Sequence, residues 1–347
     1  MKKYKVGICG FLDRKAVGEN GQTMRTLTVC QQIEKNYGED AVYKISSHIW
    51  KKHPLKFFLQ IVKMAASCEN VIMFPDWKGV QVILPIFYCL RPIFRNKLFY
   101  NVIGAWLPDL LSKRKWLAKM IGKLDAVFVE TATLQKALAE QNVTNTKLFV
   151  NFKQLQAITP DAIEKRTEPF KMCFFSRVHP QKGIEDAIWA VSELTHAGYP
   201  CEFDIYGPVD AQYTERFQQI CDNLPENIRY RGAVDGFRSV ETLNGYHVQL
   251  FPTLFATEGI PGSIVDSFFA GVPVIASKWN SCKDVVTDDV TGLCYAFGDR
   301  EALKDKIQYA MTHTERVKEM SMNCLAEAKK YDPDQAIKVV LDAIEKA

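Results

Sequence analysis

Short apolar runs alternate with longer amphipathic stretches along the whole chain. In the first half, the runs that predict strands are Tyr4–Cys9, Ala41–Ser46, Asn70–Phe74, Lys97–Ile103, Ala126–Val129 and Lys147–Asn151. Between them apolar positions recur at helical spacing, as over Thr23–Lys35 and Leu134–Gln141. The pattern resumes with strands at Met172–Ser176, Glu202–Tyr206, Ile228–Arg231, His247–Phe251, Val274–Ser277 and Gly292–Tyr295. Helices are predicted at Gly183–Ala197, Ala211–Asn223, Ser263–Ala270 and Arg300–Thr312, with a last amphipathic one at Tyr331–Ala347. Strands that alternate with helices predict α/β domains, each a parallel sheet with helices on both faces. The polar stretch Phe152–Phe170, with Pro160 and Pro169, reads as a linker. The expected division is 1–152, 153–330 and a C-terminal helix, 331–347, able to return to the first domain. Two such domains in sequence predict a cleft between them, with ligands at the C-terminal ends of the strands.

The 347 residues suffice for two domains, and 47% hydrophobic with 24% charged residues excludes a disordered chain. The longest apolar run, Val80–Leu90, has 11 residues and ends at Arg91. A spanning helix needs about 20, so none is predicted. Met1–Lys5 leads only into Val6–Leu12, which reads as a buried first strand, since no small-residue cleavage site follows. The ten cysteines are scattered, without a CxxC pair or a Cys/His cluster at metal spacing. They read as free thiols of a cytosolic protein, and no metal site is expected.

Charge is unevenly spread. Residues 1–150 hold 23 Lys+Arg against 11 Asp+Glu, a net +12, while residues 151–347 hold 21 against 29, a net −8. Two segments concentrate the basic excess, Trp50–Lys63 and Trp106–Met120, and both mix Lys/Arg with Trp, Phe and Leu near helical spacing. Interfacial helices on a membrane show this pattern, and so do surface helices whose apolar sides cover a core. Both readings stand at this point. Nucleic acid is not expected, because no recognition motif accompanies the charge.

Three pieces carry candidate chemistry. In Phe174–Ile184 a strand ends near Ser176, a loop presents Arg177 and Lys182, and Gly183 opens a helix. Cations at a strand-to-helix turn suit a diphosphate, and stabilise it most as charge develops on a leaving group. In Pro252–Ile275 a strand runs into a Gly/Pro loop and then a helix for which Ser263 is a good N-cap. The amides of Gly262, Ser263 and Ile264 would face an anion there, helped by the helix dipole. Glu258 and Asp266 bracket this turn, and carboxylates so placed suit sugar hydroxyls better than phosphate. The third piece is softer: the Gly10–Gly21 loop, which lacks a strict GxGxxG, and the segment Asn101–Trp106.

These pieces resemble the retaining glycosyltransferases of family 4, which have the GT-B fold of two Rossmann-like domains facing a cleft. Arg177-x4-Lys182-Gly183 looks like that family's G-R-L-x3-K-G, and Glu258-Gly259-Ile260-Pro261 through Asp266 is similar to its E-x7-E, with Asp replacing the second Glu. Gly271-Val272-Pro273-Val274-Ile275-Ala276-Ser277 matches its G-x-P-V-I-A-S. The resemblance is strong over Met172–Leu303 and weaker over the first 150 residues. There Asn101–Pro108 looks like the I-G-G-W-L-P segment of some polysaccharide-assembly transferases, and a His frequent in the family near Val102 is missing.

The resemblance implies metal-independent transfer of a sugar, with retention, from a UDP- or GDP-linked donor. The first domain would bind the acceptor and the second the donor. Arg177 and Lys182 would bind the diphosphate, Glu258 the donor sugar, and Asp266 the ribose. Gly259, Ile260, Pro261, Gly262, Ser263 and Ile264 would line sugar and phosphate, with Gly207, Arg231 and Gly232 near the base. The basic first half adds a lipid-linked saccharide acceptor and a cytoplasmic enzyme peripheral to the inner face of the plasma membrane. A non-catalytic nucleotide-sugar-binding homologue and a GT-B sugar-nucleotide epimerase are the competing readings.

Overall fold

The computed structural model describes residues 2–13, 21–163 and 167–346. They divide into two compact units, 1–154 with 332–347, and 155–331. Unit one holds six parallel strands, β1 (Tyr4–Gly10), β2 (Val42–Ser46), β3 (Cys68–Met73), β4 (Lys97–Asn101), β5 (Ala126–Val129) and β6 (Thr146–Leu148). Their order is β2-β1-β3-β4-β5-β6. Unit two holds β7 (Phe170–Phe175), β8 (Cys201–Tyr206), β9 (Ile228–Gly232), β10 (Val248–Phe251), β11 (Val274–Ser277) and β12 (Gly292–Tyr295), in the order β12-β11-β10-β7-β8-β9. Both sheets are parallel throughout, and β5, β10 and β11 are buried along their whole length. Burial on both faces is why these strands read as continuous apolar runs.

Every predicted strand is present, most with ends shifted by one to three residues. The strand expected to reach Ile103 stops at Asn101, where the chain turns through Gly104. The helices between strands cover both faces, so unit one has two core layers. One is built on Phe57, Ile61, Met64, Leu84 and Phe87, the other on Val29, Ile33, Phe99 and Phe128. The second layer includes Ile337, Val340 and Ile344, from helices Pro333–Ala336 and Lys338–Lys346. The chain end is therefore part of unit one, and Lys35 reaches Asp334 at 2.6 Å. The segment Trp106–Met120 folds as two helices, Leu107–Lys113 and Lys115–Ile121, with Leu107, Leu110, Leu111 and Leu117 buried.

In each sheet the chain reverses its direction of progress once, between β1 and β3 and between β7 and β10. Loops on either side of such a reversal diverge and leave a crevice at the carboxyl ends of the strands.

Arg25 is the largest buried polar side chain of unit one. Its guanidinium donates to the Phe149 carbonyl at 3.1 Å and lies 4.0 Å and 4.8 Å from the ring centres of Phe149 and Phe152. Burial lowers its pKa to about 10. Arg25→Ala opens a cavity between two rings and is expected to cost about 3 kcal/mol, whereas Arg25→Met keeps the volume and costs about 1 kcal/mol, by urea unfolding.

Candidate functional site

The loops that flank the β7/β10 reversal carry the residues singled out by sequence. The first leaves β7 at Phe175 and is sewn to the loop after β8, since Val178 donates to Pro208 O at 2.9 Å and Asp210 donates to Val178 O at 3.0 Å. This sets the Arg177 guanidinium 3.6 Å from the Asp210 carboxylate, with the Arg177 side chain 56% exposed. A 3-10 turn follows, Pro180–Lys182, whose Gln181 amide donates to His179 Nδ1 at 3.1 Å. It ends at Gly183, the N-cap of helix Ile184–His196.

Gly183 has φ 72°, and a Cβ there would stand 1.8 Å from the Pro252 carbonyl oxygen. Glycine alone permits both the left-handed turn and this close approach. The contact presses the loop after β7 against the loop after β10, where Leu254 N donates to Gln181 O at 2.8 Å. Lys182 Nζ is thereby brought onto Glu258 Oε1, and the two side chains are only 18% and 12% exposed. Thr253, fully buried, places its hydroxyl 3.3 Å from the same carboxylate oxygen and accepts from Phe255 N at 3.1 Å. Ser277, at the end of β11, donates to the Thr253 carbonyl at 2.6 Å. The Lys182 ammonium also lies 5.8 Å from the Phe251 ring centre, and that ring meets Trp279 edge-on at 5.4 Å.

Helix Gly262–Phe269 begins one residue earlier than its sequence suggests, and Pro261 rather than Ser263 is its N-cap. Proline holds φ at −66° in an extended conformation, so the helix starts directly after it. Its carbonyl accepts from Ile264 N at 3.1 Å. The amides that precede this bond in the first turn are those of Gly262 and Ser263, and Pro261 makes no side-chain cap bond to them. Gly259, Ile260 and Pro261 are buried as the turn's base. Asp266 is on the same helix and 2% exposed.

Beyond β8, Gly207 has φ 139°, and a Cβ there would stand 1.8 Å from Ser176 O. Its amide donates to Gly232 O at 2.9 Å. Arg231 Nε donates to Asp204 at 2.6 Å, and so does the Tyr246 hydroxyl, which also meets Tyr206 at 2.8 Å. Burial, then the Asp204 carboxylate, raise the Tyr246 pKa far above its ordinary value, and the bond to Asp204 raises that of Arg231. The Arg231 Nε is thus engaged with Asp204, and the side chain is 43% exposed.

The structure joins Lys182 with Glu258 and attaches Arg177 to Asp210 instead. Thr253 and Asp210 were missed. Each stands just past a strand end, which is the signal that could have found them. In unit one, Trp106 donates to Ile103 O at 2.8 Å and packs 5.6 Å from Trp77, where a family His was looked for. Residues 14–20 of the Gly10–Gly21 loop lie outside the described residues.

The sequence pattern of the family described as "Glycosyl transferases group 1" matches residues 156–330. The chain belongs to that family. Every residue of the β7/β10 site falls inside the matched stretch. This group 1 chain is 26% identical over 173 residues to the amylovoran biosynthesis glycosyltransferase AmsK of Erwinia amylovora, covering 47% of this chain and 40% of AmsK. It is 21% identical over 231 residues to an uncharacterized glycosyltransferase of Methanocaldococcus jannaschii, covering 63% and 55%. The chain thus spans about half the length of the curated relatives it matches. In fold it is similar to Anabaena HepE, solved in complex with UDP, with a TM-score of 0.76, 15% identity and coverage of 99% and 100%. The structural neighbours are GT-B glycosyltransferases, and the two six-stranded parallel sheets share that architecture.

Gly183→Ala must force the two loops of the site apart. It is expected to lower stability by at least 2 kcal/mol in urea unfolding, because strain at positive φ adds to a backbone clash.

Proposed function

We propose that the chain moves a sugar from a UDP- or GDP-linked donor to a lipid-linked saccharide, with retention of configuration and without a metal. The reading places it among the family 4 enzymes of polysaccharide-assembly type. The observation that carries it is the Lys182–Glu258 pair at the β7/β10 reversal, with Glu258 in the loop that leads from β10 into helix Gly262–Phe269. An ammonium, an exposed guanidinium at Arg177 and first-turn amides suit a diphosphate. As the bond from sugar to diphosphate breaks, negative charge builds on the leaving oxygen, and these fixed positive groups stabilise it most at that moment. Glu258, with Lys182 and Thr253 on one oxygen, keeps its other oxygen to accept sugar hydroxyls. Asp266 serves the ribose, and Gly207 and Gly232 lie near the base.

The relatives support this reading. HepE is described in complex with UDP-glucose, and AmsK by its part in amylovoran biosynthesis. A lipid-linked acceptor agrees with the net +12 of residues 1–150, since its carrier phosphates are anionic. The ten cysteines are all free, which agrees with a cytoplasmic site of action. Among the described residues no helix is long and apolar enough to cross a membrane, and the proposed contact is peripheral, at the inner face of the plasma membrane.

Isothermal titration is expected to show binding of UDP or GDP, weakened at least tenfold (about 1.4 kcal/mol) in Arg177→Ala. Binding of neither nucleotide, or unchanged binding in that variant, overturns the donor assignment. Glu258→Ala is expected to keep nucleotide affinity within about threefold, less than 1 kcal/mol, and to abolish donor turnover in the presence of EDTA. Interconversion of the donor sugar without acceptor would instead make the protein an epimerase, and binding without any turnover a non-catalytic homologue.

A further inference from the structure

Helix Pro54–Ser67 has two apolar faces. Phe57, Ile61, Met64 and Ala65 are buried in the core of unit one. On the other side Leu55, Phe58 and Leu59 are 72%, 42% and 60% exposed. A cavity of about 480 Å³ opens beside this face, between Trp50, Pro54 and Phe58 on one side and Val82 and Ile86 on the other. An uncovered apolar patch of this kind on a soluble fold marks a docking surface.

Charge identifies what docks. Lys51, Lys52, Lys56 and Lys63 are exposed around the patch. No Asp or Glu occurs from Ala41 to Cys68, or from Trp77 to Pro108, the two stretches that build it. A second copy of this face would bring cations against cations. An anionic bilayer instead offers phosphates to the lysines and an apolar interior to the leucines. The other basic segment does not share this form. The leucines of Trp106–Met120 are buried, and Trp116 is its one apolar residue among those with large exposed surface.

We infer that the outer face of helix Pro54–Ser67, with Trp50 and Val82 at its edge, seats on the surface of an anionic membrane. Leu55, Phe58 and Leu59 enter the acyl boundary while Lys51, Lys52 and Lys56 meet the headgroups. The inference deepens the membrane contact of the proposed function, on which it rests, and is independent of the donor site.

The test is cosedimentation of the whole chain with vesicles of phosphatidylcholine and phosphatidylglycerol, or of phosphatidylcholine alone, at low and high salt. Wild type is expected to bind the anionic vesicles at least tenfold more tightly than the neutral ones. The double variant Leu55→Ser/Leu59→Ser and the triple variant Lys51→Ser/Lys52→Ser/Lys56→Ser should each lose tenfold or more, with thermal midpoints unchanged because all five residues are exposed. No binding of wild type to anionic vesicles at low salt overturns the inference. So does undiminished binding of the leucine variant, which would reduce the contact to charge alone. A dimer seen by sedimentation equilibrium and abolished in the leucine variant would make the face a self-interface and overturn it equally. UDP titration of the same preparation is a separate readout, so failure at the membrane leaves the donor site standing.

Discussion

The site depends on one close approach. At Gly183 the backbone lies against the Pro252 carbonyl at a separation that no side chain could share. That approach lets the loop after β7 lie directly against the loop after β10. Held together, the loops are laced by a backbone bond, and residues 76 positions apart become ion-pair partners. A partly buried pair of this kind adds little net stability, because desolvation offsets much of the Coulomb attraction. Its effect is positional: it fixes a carboxylate and an ammonium between the loops after β7 and β10, with the buried Thr253 hydroxyl on the same carboxylate oxygen.

The two units share a plan and differ in surface. Both are six-stranded parallel sheets with one reversal of strand order. The family pattern covers residues 156–330 and so falls on unit two, where the loops at the reversal carry the polar groups. Unit one lies outside that match and carries the basic excess, the acid-free stretches and the exposed leucines.

Much of this was legible beforehand, for identifiable reasons. Strands buried on both faces read as apolar runs, so all twelve were visible, and short parallel strands leave only their ends in doubt. Arg177, Lys182, Glu258 and Asp266 stood out because charged groups beside strand ends and glycine-rich turns have few structural uses. The start of helix Gly262–Phe269 was misplaced because Ser263 has the chemistry of a cap, while Pro261 dictates the backbone. The Arg231–Asp204 bond was not legible, because Asp204 is 27 positions away on a neighbouring strand.

The sequence by itself determined the alternation of strand and helix and the charged residues just past the strand ends. Periodicity and local turn chemistry are properties of neighbouring residues, and they are written along the chain. Only the tertiary structure decided which cation meets which carboxylate, and which of two similar basic segments keeps leucines in contact with solvent. Those outcomes depend on packing between segments far apart in the chain, where a missing Cβ or a neighbouring strand settles what the linear pattern leaves open.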